Sequence, residues 1–202
     1  MPFETDTTWP AGLLNIFQIC RQDLQHLENR YYGPYNKLLS YCFGPESFDF
    51  FVAPQSPPSE FSPRDTGDFI VFLVVFDRLR RPVLIAEIKD DAWANKADLR
   101  SKADEQVRQR YDSMLNDCPL PHLWGLSLLG TSMRVYSGDT ATGDVQPTFE
   151  NRPNLSRIFP RNFLEGAWDI DILSPEGFAK MKEIVGDIMA SAAALEGWES
   201  QL

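Results

Sequence analysis

The sequence predicts an α/β domain in which a central mixed β-sheet is flanked by α-helices. Two nearly continuous apolar runs, 69–76 and 83–88, are rich in β-branched and aromatic residues, which is typical of strands covered on both faces. Segments with a helical period of about 3.6 residues precede and follow these runs. The predicted order is helix, strand, strand, strand, helix, strand, strand, helix.

The length and composition indicate one domain. A chain of 202 residues, 43% of them hydrophobic, can build one substantial core, so we expect a single domain over 1–202. No apolar run reaches the roughly 18 residues that a membrane span needs, and the N-terminus has neither a basic region nor an apolar signal core. The chain has three cysteines, an odd number without the spacing of a metal site, which indicates reduced thiols. We therefore expect a soluble intracellular protein, in the cytoplasm or nucleus, with no membrane partner.

The N-terminal part predicts two helices and a strand. From residue 11 on, apolar residues recur at helical spacing, and Gly33 and Pro34 are expected to interrupt this pattern before a second helix that reaches Phe43. Residues 47–54 then alternate as a strand does. The segment that follows is rich in proline and serine and predicts a loop.

The two apolar runs predict a hairpin that gathers charged residues at one end of the sheet. Their connection, DRLRRP, is short enough for antiparallel pairing. Such pairing places Asp68, which opens the first run, beside Glu87 and Lys89, which close the second. Because side chains two residues apart on a strand point the same way, Glu87 and Lys89 are expected to share a face.

The remaining elements follow from helical periodicity and turn residues. A helix is predicted over 96–116, stopped by Cys118-Pro119. Two strands with a turn near Gly130 come next. The last helix is predicted to begin with Ser174 as its N-cap and Pro175 as its first residue.

The chain is acidic as a whole, but it contains a locally basic segment. A net charge of −10 and a pI near 4.7 exclude a protein whose entire surface coats nucleic acid. Positive charge is nevertheless gathered next to the Glu-x-Lys strand. The residues concerned are Arg78, Arg80, Arg81, Lys96, Arg100, Lys102, Arg108 and Arg110. A basic surface for a polyanion and a solvated helix face both remain open as explanations.

If Asp68 and Glu87 lie close together, their negative charges need a neutralising partner. Two carboxylates brought together repel each other and lose hydration, unless a cation neutralises them. Mg²⁺ prefers a few carboxylate and carbonyl oxygens, and Asp68, Glu87 and the backbone carbonyl of Ile88 would provide them. Lys89 could then hold a polarised water or neutralise charge on a phosphate. The alternative is a solvated sheet rim on which Lys89 pairs with Glu87 or Asp90.

These residues resemble the core of the PD-(D/E)XK nuclease superfamily, the restriction-endonuclease-like fold. The similarity lies in the order helix, three-stranded meander, helix, strand, with Asp68 at the second strand and Glu-x-Lys at the third, over about residues 11–137. It implies Asp68 and Glu87 as ligands of Mg²⁺ or Mn²⁺, and Lys89 as the residue that orients water or stabilises the transition state. Glu28 is the candidate for the glutamate that the first helix contributes in several branches, and Gln106 for the glutamine of the later helix.

The sequence departs from the superfamily pattern at two points. In the exonuclease-like branches a tyrosine follows the helix glutamine after four residues, whereas Tyr111 follows Gln106 after five. Gly67 stands where many members have proline before the aspartate. Residues 138–202 form an extension without an assigned counterpart in the common core.

The resemblance implies metal-dependent hydrolysis of phosphodiester bonds in nucleic acid, DNA or RNA. Arg100, Lys102, Arg108 and Arg110 are the residues expected to orient the phosphate backbone. The alternative is a catalytically inactive nuclease-fold domain that serves as a protein-interaction or nucleic-acid-binding module. A homodimer formed through the last helix is a further expectation.

Overall fold

The computed structural model describes residues 2–22, 28–44, 48–55, 72–151 and 159–199. Within these ranges the α-helices are α1 (Pro2–Thr5), α2 (Ala11–Gln22), α3 (Tyr32–Cys42), α4 (Ala97–Met114) and α5 (Pro175–Glu199). Short 3₁₀ helices span Glu28–Tyr31, Asp91–Asn95 and Leu115–Asp117. The strands are β1 (Phe50–Gln55), β2 (Phe72–Asp77), β3 (Pro82–Lys89), β4 (His122–Leu129), β5 (Ser132–Asp139), β6 (Val145–Gln146) and β7 (Ile170–Asp171).

The strands form one mixed sheet, in the order β1-β2-β3-β4-β5-β6, with β7 paired to β5. The first three strands are an antiparallel meander. The chain then crosses over through α4, so that β4 runs parallel to β3, and β5 returns antiparallel to β4. The α/β class and the mixed sheet flanked by helices agree with the prediction.

Helices cover both faces of this sheet. Tyr111 of α4 packs against the backbone at Gly125 and Gly138, where an added Cβ would lie 2.5 and 2.6 Å from the tyrosine. Trp124, which precedes Gly125 and therefore points to the other face, donates its Nε1 hydrogen to Asp187 of α5 at 2.8 Å. The side chains of β3 are thus enclosed from both sides.

The two strands of the central hairpin are buried along their whole described length. Every residue of β2 and β3 is buried, which is the reason that their sequence is apolar instead of alternating. The strands pair from Leu73 opposite Ala86 to Phe76 opposite Pro82, with an irregularity after Val75. The predicted first strand, 69–76, coincides with β2 from Phe72 on, and its first three residues lie outside the described ranges.

One predicted helix boundary is wrong. Gly33 and Pro34 lie in the first turn of α3 and do not interrupt a helix. Proline is compatible with this position, because the backbone N–H that it lacks would have no intrahelical partner in the first turn. The two strands β6 and β7, each of two residues, are too short to produce a periodic pattern in the sequence.

The start of the last helix agrees with the prediction. The Ser174 Oγ accepts a hydrogen bond from the backbone N–H of Gly177 at 3.0 Å, and Pro175 is the first helical residue. Among the helices of the described ranges, none combines the length and apolar character that crossing a membrane requires.

Candidate functional site

Glu87 and Lys89 lie at the C-terminal end of β3 and face α4. Their residues are 0% and 1% exposed. The Nζ of Lys89 is 3.1 Å from the Oε1 of Glu87. Two charged side chains are therefore held together inside the protein, and neither lies on a solvated rim of the sheet.

Arg110 of α4 contacts the other oxygen of the same carboxylate. Its Nε donates to the Oε2 of Glu87 at 3.0 Å, and its guanidinium carbon lies 4.2 Å from the centroid of the Phe72 ring on β2. Glu87 thus lies between two cations that come from two different elements. Of these contacts, the sequence predicts only the shared face of Glu87 and Lys89.

Trp93 provides an aromatic wall next to these cations. The Nζ atoms of Lys89 and Lys102 lie 5.2 and 5.6 Å from the centroid of its ring. Attraction to the face of an indole stabilises a cation at such distances. Trp93 is not among the site residues predicted from the sequence. Its position four residues after the lysine of the Glu-x-Lys motif is the feature of the sequence that could have indicated it.

Gln106 is buried on the same face of α4. It precedes Arg110 by four residues and is 6% exposed. Its Oε1 has no hydrogen-bond partner among the described residues. A buried amide oxygen without a donor destabilises the folded state, which favours a role in which Gln106 contacts a further group.

Two predicted ligands lie in or beside parts of the chain that are not described. Asp68 is outside the described residues, so its approach to Glu87 stays a prediction. Glu28 begins the 3₁₀ helix Glu28–Tyr31, and its side chain is also outside the described part. The helix itself lies beside the end of β3, because Tyr31 donates a hydrogen bond to Asp91 at 2.5 Å.

The backbone carbonyl of Ile88, the third predicted ligand, points away from β4. The carbonyl of Lys89 accepts a hydrogen bond from Gly130, the residue after β4, at 2.9 Å. Because backbone groups of successive strand residues point to opposite sides, the Ile88 carbonyl points towards β2. This is the side of β3 on which Asp68 is expected.

The Oε1 of Glu87 is an oxygen that could hold a divalent cation. The buried Oε1 of Glu87 accepts no hydrogen bond of good geometry from a described residue, although Lys89 lies close to it. Such an oxygen is a ligand that Mg²⁺ and Mn²⁺ favour. The described ranges contain no cluster of three or more His, Cys, Asp or Glu side chains that could hold a metal, so a complete shell would need a ligand such as Asp68.

The four cations expected to bind phosphate have different surroundings. Lys102 is exposed beside Trp93, and Arg110 contacts Glu87. Arg100 makes four hydrogen bonds to the backbone carbonyls of Ala94, Arg161 and Phe163, which favours a structural role over a phosphate contact.

Arg108 belongs to a second polar cluster, centred on Asp104. The buried Asp104 carboxylate accepts hydrogen bonds from Arg108 Nε at 2.9 Å and from the Tyr136 hydroxyl at 2.7 Å, and Arg134 lies 3.4 Å away. Burial and the Asp104 charge raise the pKa of Tyr136, so its phenol stays protonated and donates. Arg134 and Tyr136 are not among the residues predicted from the sequence. Their spacing of two along β5, which puts both side chains on one face, is the feature that could have indicated them.

A cleft of about 390 Å³ adjoins the end of β3. Its lining residues are Arg21, Arg30, Asp90, Asp91, Ala92 and Asn95. Arg30 joins the two acids, with nitrogen–oxygen distances of 2.8 Å to Asp90 and 2.7 Å to Asp91. The cleft lies beyond the carboxyl ends of two parallel strands, which is where open α/β sheets commonly bind ligands.

Comparisons with protein-family models, curated proteins and solved structures gave no significant match to the chain. The residues of the site and the topology that positions them are therefore the basis for proposing a function.

Proposed function

We propose that the protein is a divalent-metal-dependent phosphodiesterase of the restriction-endonuclease-like type, acting on nucleic acid. One observation supports the proposal: Glu87 and Lys89 are buried together at the end of β3, the last strand of the antiparallel meander. The strand after α4 lies parallel to that strand. This is the arrangement that the resemblance to the PD-(D/E)XK superfamily implies for a Glu-x-Lys motif.

Each residue of the site has a distinct part in the proposed chemistry. Glu87 holds the cation, together with Asp68 and the Ile88 carbonyl. Lys89 donates a hydrogen bond to the attacking water or to the phosphate oxygens, where charge develops during displacement. A bound Mg²⁺ supplies Lewis acidity that polarises the phosphoryl group and the water. The amide of Gln106 is available to orient the phosphate from α4.

The charge balance of the described site favours an anionic substrate. Lys89 and Arg110 face a single carboxylate, and Lys102 adds positive charge at the Trp93 ring. In a chain with a net charge of −10, this local excess of cations is a specific feature. A phosphate backbone is a polyanion that such a site attracts.

A second candidate function is a binding module without catalysis. It is favoured by the contacts of Glu87, whose two oxygens each lie within 3.1 Å of a cationic side chain. A buried ion-pair network of this kind can be purely structural. In that case the nuclease fold would serve as a scaffold for a protein or a nucleic acid partner.

A cleavage assay with a Lys89→Met variant tests the catalytic proposal. Methionine keeps an unbranched apolar stem in the buried position and removes the ammonium. We expect the wild-type protein to cleave mixed DNA or RNA substrates with Mg²⁺ or Mn²⁺, and the variant to lose about 100-fold or more of this activity.

Lys182→Met is the matched control. Lys182 on α5 also places its Nζ 5.2 Å from an aromatic centroid, that of Phe3, but it donates a hydrogen bond to the backbone carbonyl of Glu4 instead of pairing with Glu87. Its replacement is expected to leave cleavage unchanged. Wild-type protein that cleaves neither DNA nor RNA with either metal would favour the binding module.

A further inference from the structure

We infer that Arg110 competes with the divalent cation for Glu87 and thereby sets the metal affinity of the site. This inference rests on the proposed function, because it assumes that Glu87 is a metal ligand. It assigns to Arg110 a positioning role that differs from the phosphate contact predicted from the sequence.

The geometry places Arg110 on the carboxylate itself. Its Nε is 3.0 Å from the Oε2 of Glu87, and its side chain is 9% exposed. Contact with the Phe72 ring at 4.2 Å fixes the guanidinium from the other side. Arg110 therefore has little freedom to move away from Glu87 when a cation arrives.

The electrostatic consequence is a weakened attraction for metal. A carboxylate that already faces Lys89 and Arg110 carries less net negative potential towards a third cation. Because the site is buried, solvent screens this repulsion only weakly. Removal of the arginine charge should therefore tighten metal binding, whereas loss of an ordinary supporting contact would weaken it.

The test is calorimetric titration of Mn²⁺ into the full chain, with the wild-type protein, Arg110→Gln and Arg110→Met compared. Methionine retains an apolar stem against Phe72 and protects the experiment against a folding defect of the glutamine variant. Circular dichroism at the titration temperature checks that each variant is folded. We expect both variants to bind Mn²⁺ at least ~10-fold more tightly than the wild-type protein.

Arg134→Gln is the matched control. The Arg134 side chain is 8% exposed and also packs on aromatic rings, but it is paired with Asp104. The Mn²⁺ affinity of the Arg134→Gln variant is expected to stay within about twofold of the wild-type value. An equal effect of Arg134→Gln would overturn the inference, because general loss of positive charge would then explain the change.

The outcomes separate this inference from the proposed function. Tight Mn²⁺ binding by the wild-type protein, lost in Glu87→Gln and unchanged or weakened in both Arg110 variants, would overturn the role of Arg110 alone. Absence of Mn²⁺ binding in every protein would overturn both proposals. Binding that arises only when Arg110 is replaced, and that Glu87→Gln abolishes, would support the competition.

Discussion

Glu87 is the residue on which the energetics of the site depend. A buried carboxylate is costly to desolvate, and two cations at 3.0 and 3.1 Å offset that cost. The same pairing makes each partner dependent on the others. Removal of the carboxylate leaves two cations buried without their counterion.

We predict that Glu87→Gln lowers the free energy of unfolding by roughly 3–5 kcal/mol in metal-free buffer, because Lys89 and Arg110 lose their shared counterion. Urea denaturation followed by tryptophan fluorescence measures the change. The double variant Glu87→Gln/Arg110→Gln provides the control, since it also removes one of the stranded cations. Its destabilisation should be smaller than the sum of the two single variants, and strict additivity would refute the coupling.

At the residue scale, the sequence predicts side chains that share an element better than side chains that meet across elements. Glu87 and Lys89 share a face because strand geometry has a period of two. Arg110 could be predicted only as part of a basic run, since its contact with Glu87 depends on how α4 is rotated on the sheet. The same reason explains why Arg134 was missed.

Among the elements, α5 shows how local sequence and tertiary contact act on one helix. Its start is set by the Ser174 cap, which the sequence predicts. Its docking depends on Gly177, where an added Cβ would lie 2.4 Å from the Asp171 carbonyl oxygen and 2.5 Å from the Ile172 Cα. Gly186, nine residues further along the helix, has nothing within 4 Å of such a Cβ.

Replacement of these two glycines by alanine is expected to have opposite effects. Gly177→Ala should destabilise the protein by about 1–3 kcal/mol, because the methyl group meets backbone that can move only by shifting the helix. Gly186→Ala should stabilise it by up to about 1 kcal/mol, through helix propensity alone. Thermal unfolding of the two variants against the wild-type protein checks this. Equal shifts of the unfolding temperature with the same sign in both variants would contradict the close packing of α5 at Gly177.

Element boundaries also show where sequence patterns fail. The Gly33-Pro34 pair predicts a break, yet it lies in the first turn of α3, because proline fits that turn as well as a loop. The apolar runs of β2 and β3 gave a reliable strand prediction, since burial on both faces leaves little room for polar residues. Strands of two residues, such as β6 and β7, carry no pattern.

On the scale of the whole molecule, topology followed from the predicted order of elements. A short connection makes β2 and β3 antiparallel, and the crossover through α4 places β4 parallel to β3. The resulting sheet brings the Glu-x-Lys motif to the carboxyl end of a parallel pair, beside α4. The proposed metal site also needs Asp68, whose position at this end of the sheet is a prediction from the sequence.

The most direct test of the central claim is calorimetric titration of Mn²⁺ into the wild-type protein and into Glu87→Gln. Asp104→Asn serves as the control, because Asp104 is also a buried acid paired with arginines, but in the separate cluster between α4 and β5. Circular dichroism establishes that the variants are folded under these conditions. Binding by the wild-type protein and by Asp104→Asn, lost in Glu87→Gln, is the predicted result. Absence of binding in the wild-type protein and in the Arg110 variants, or binding that Glu87→Gln leaves unchanged, would contradict a metal site at Glu87.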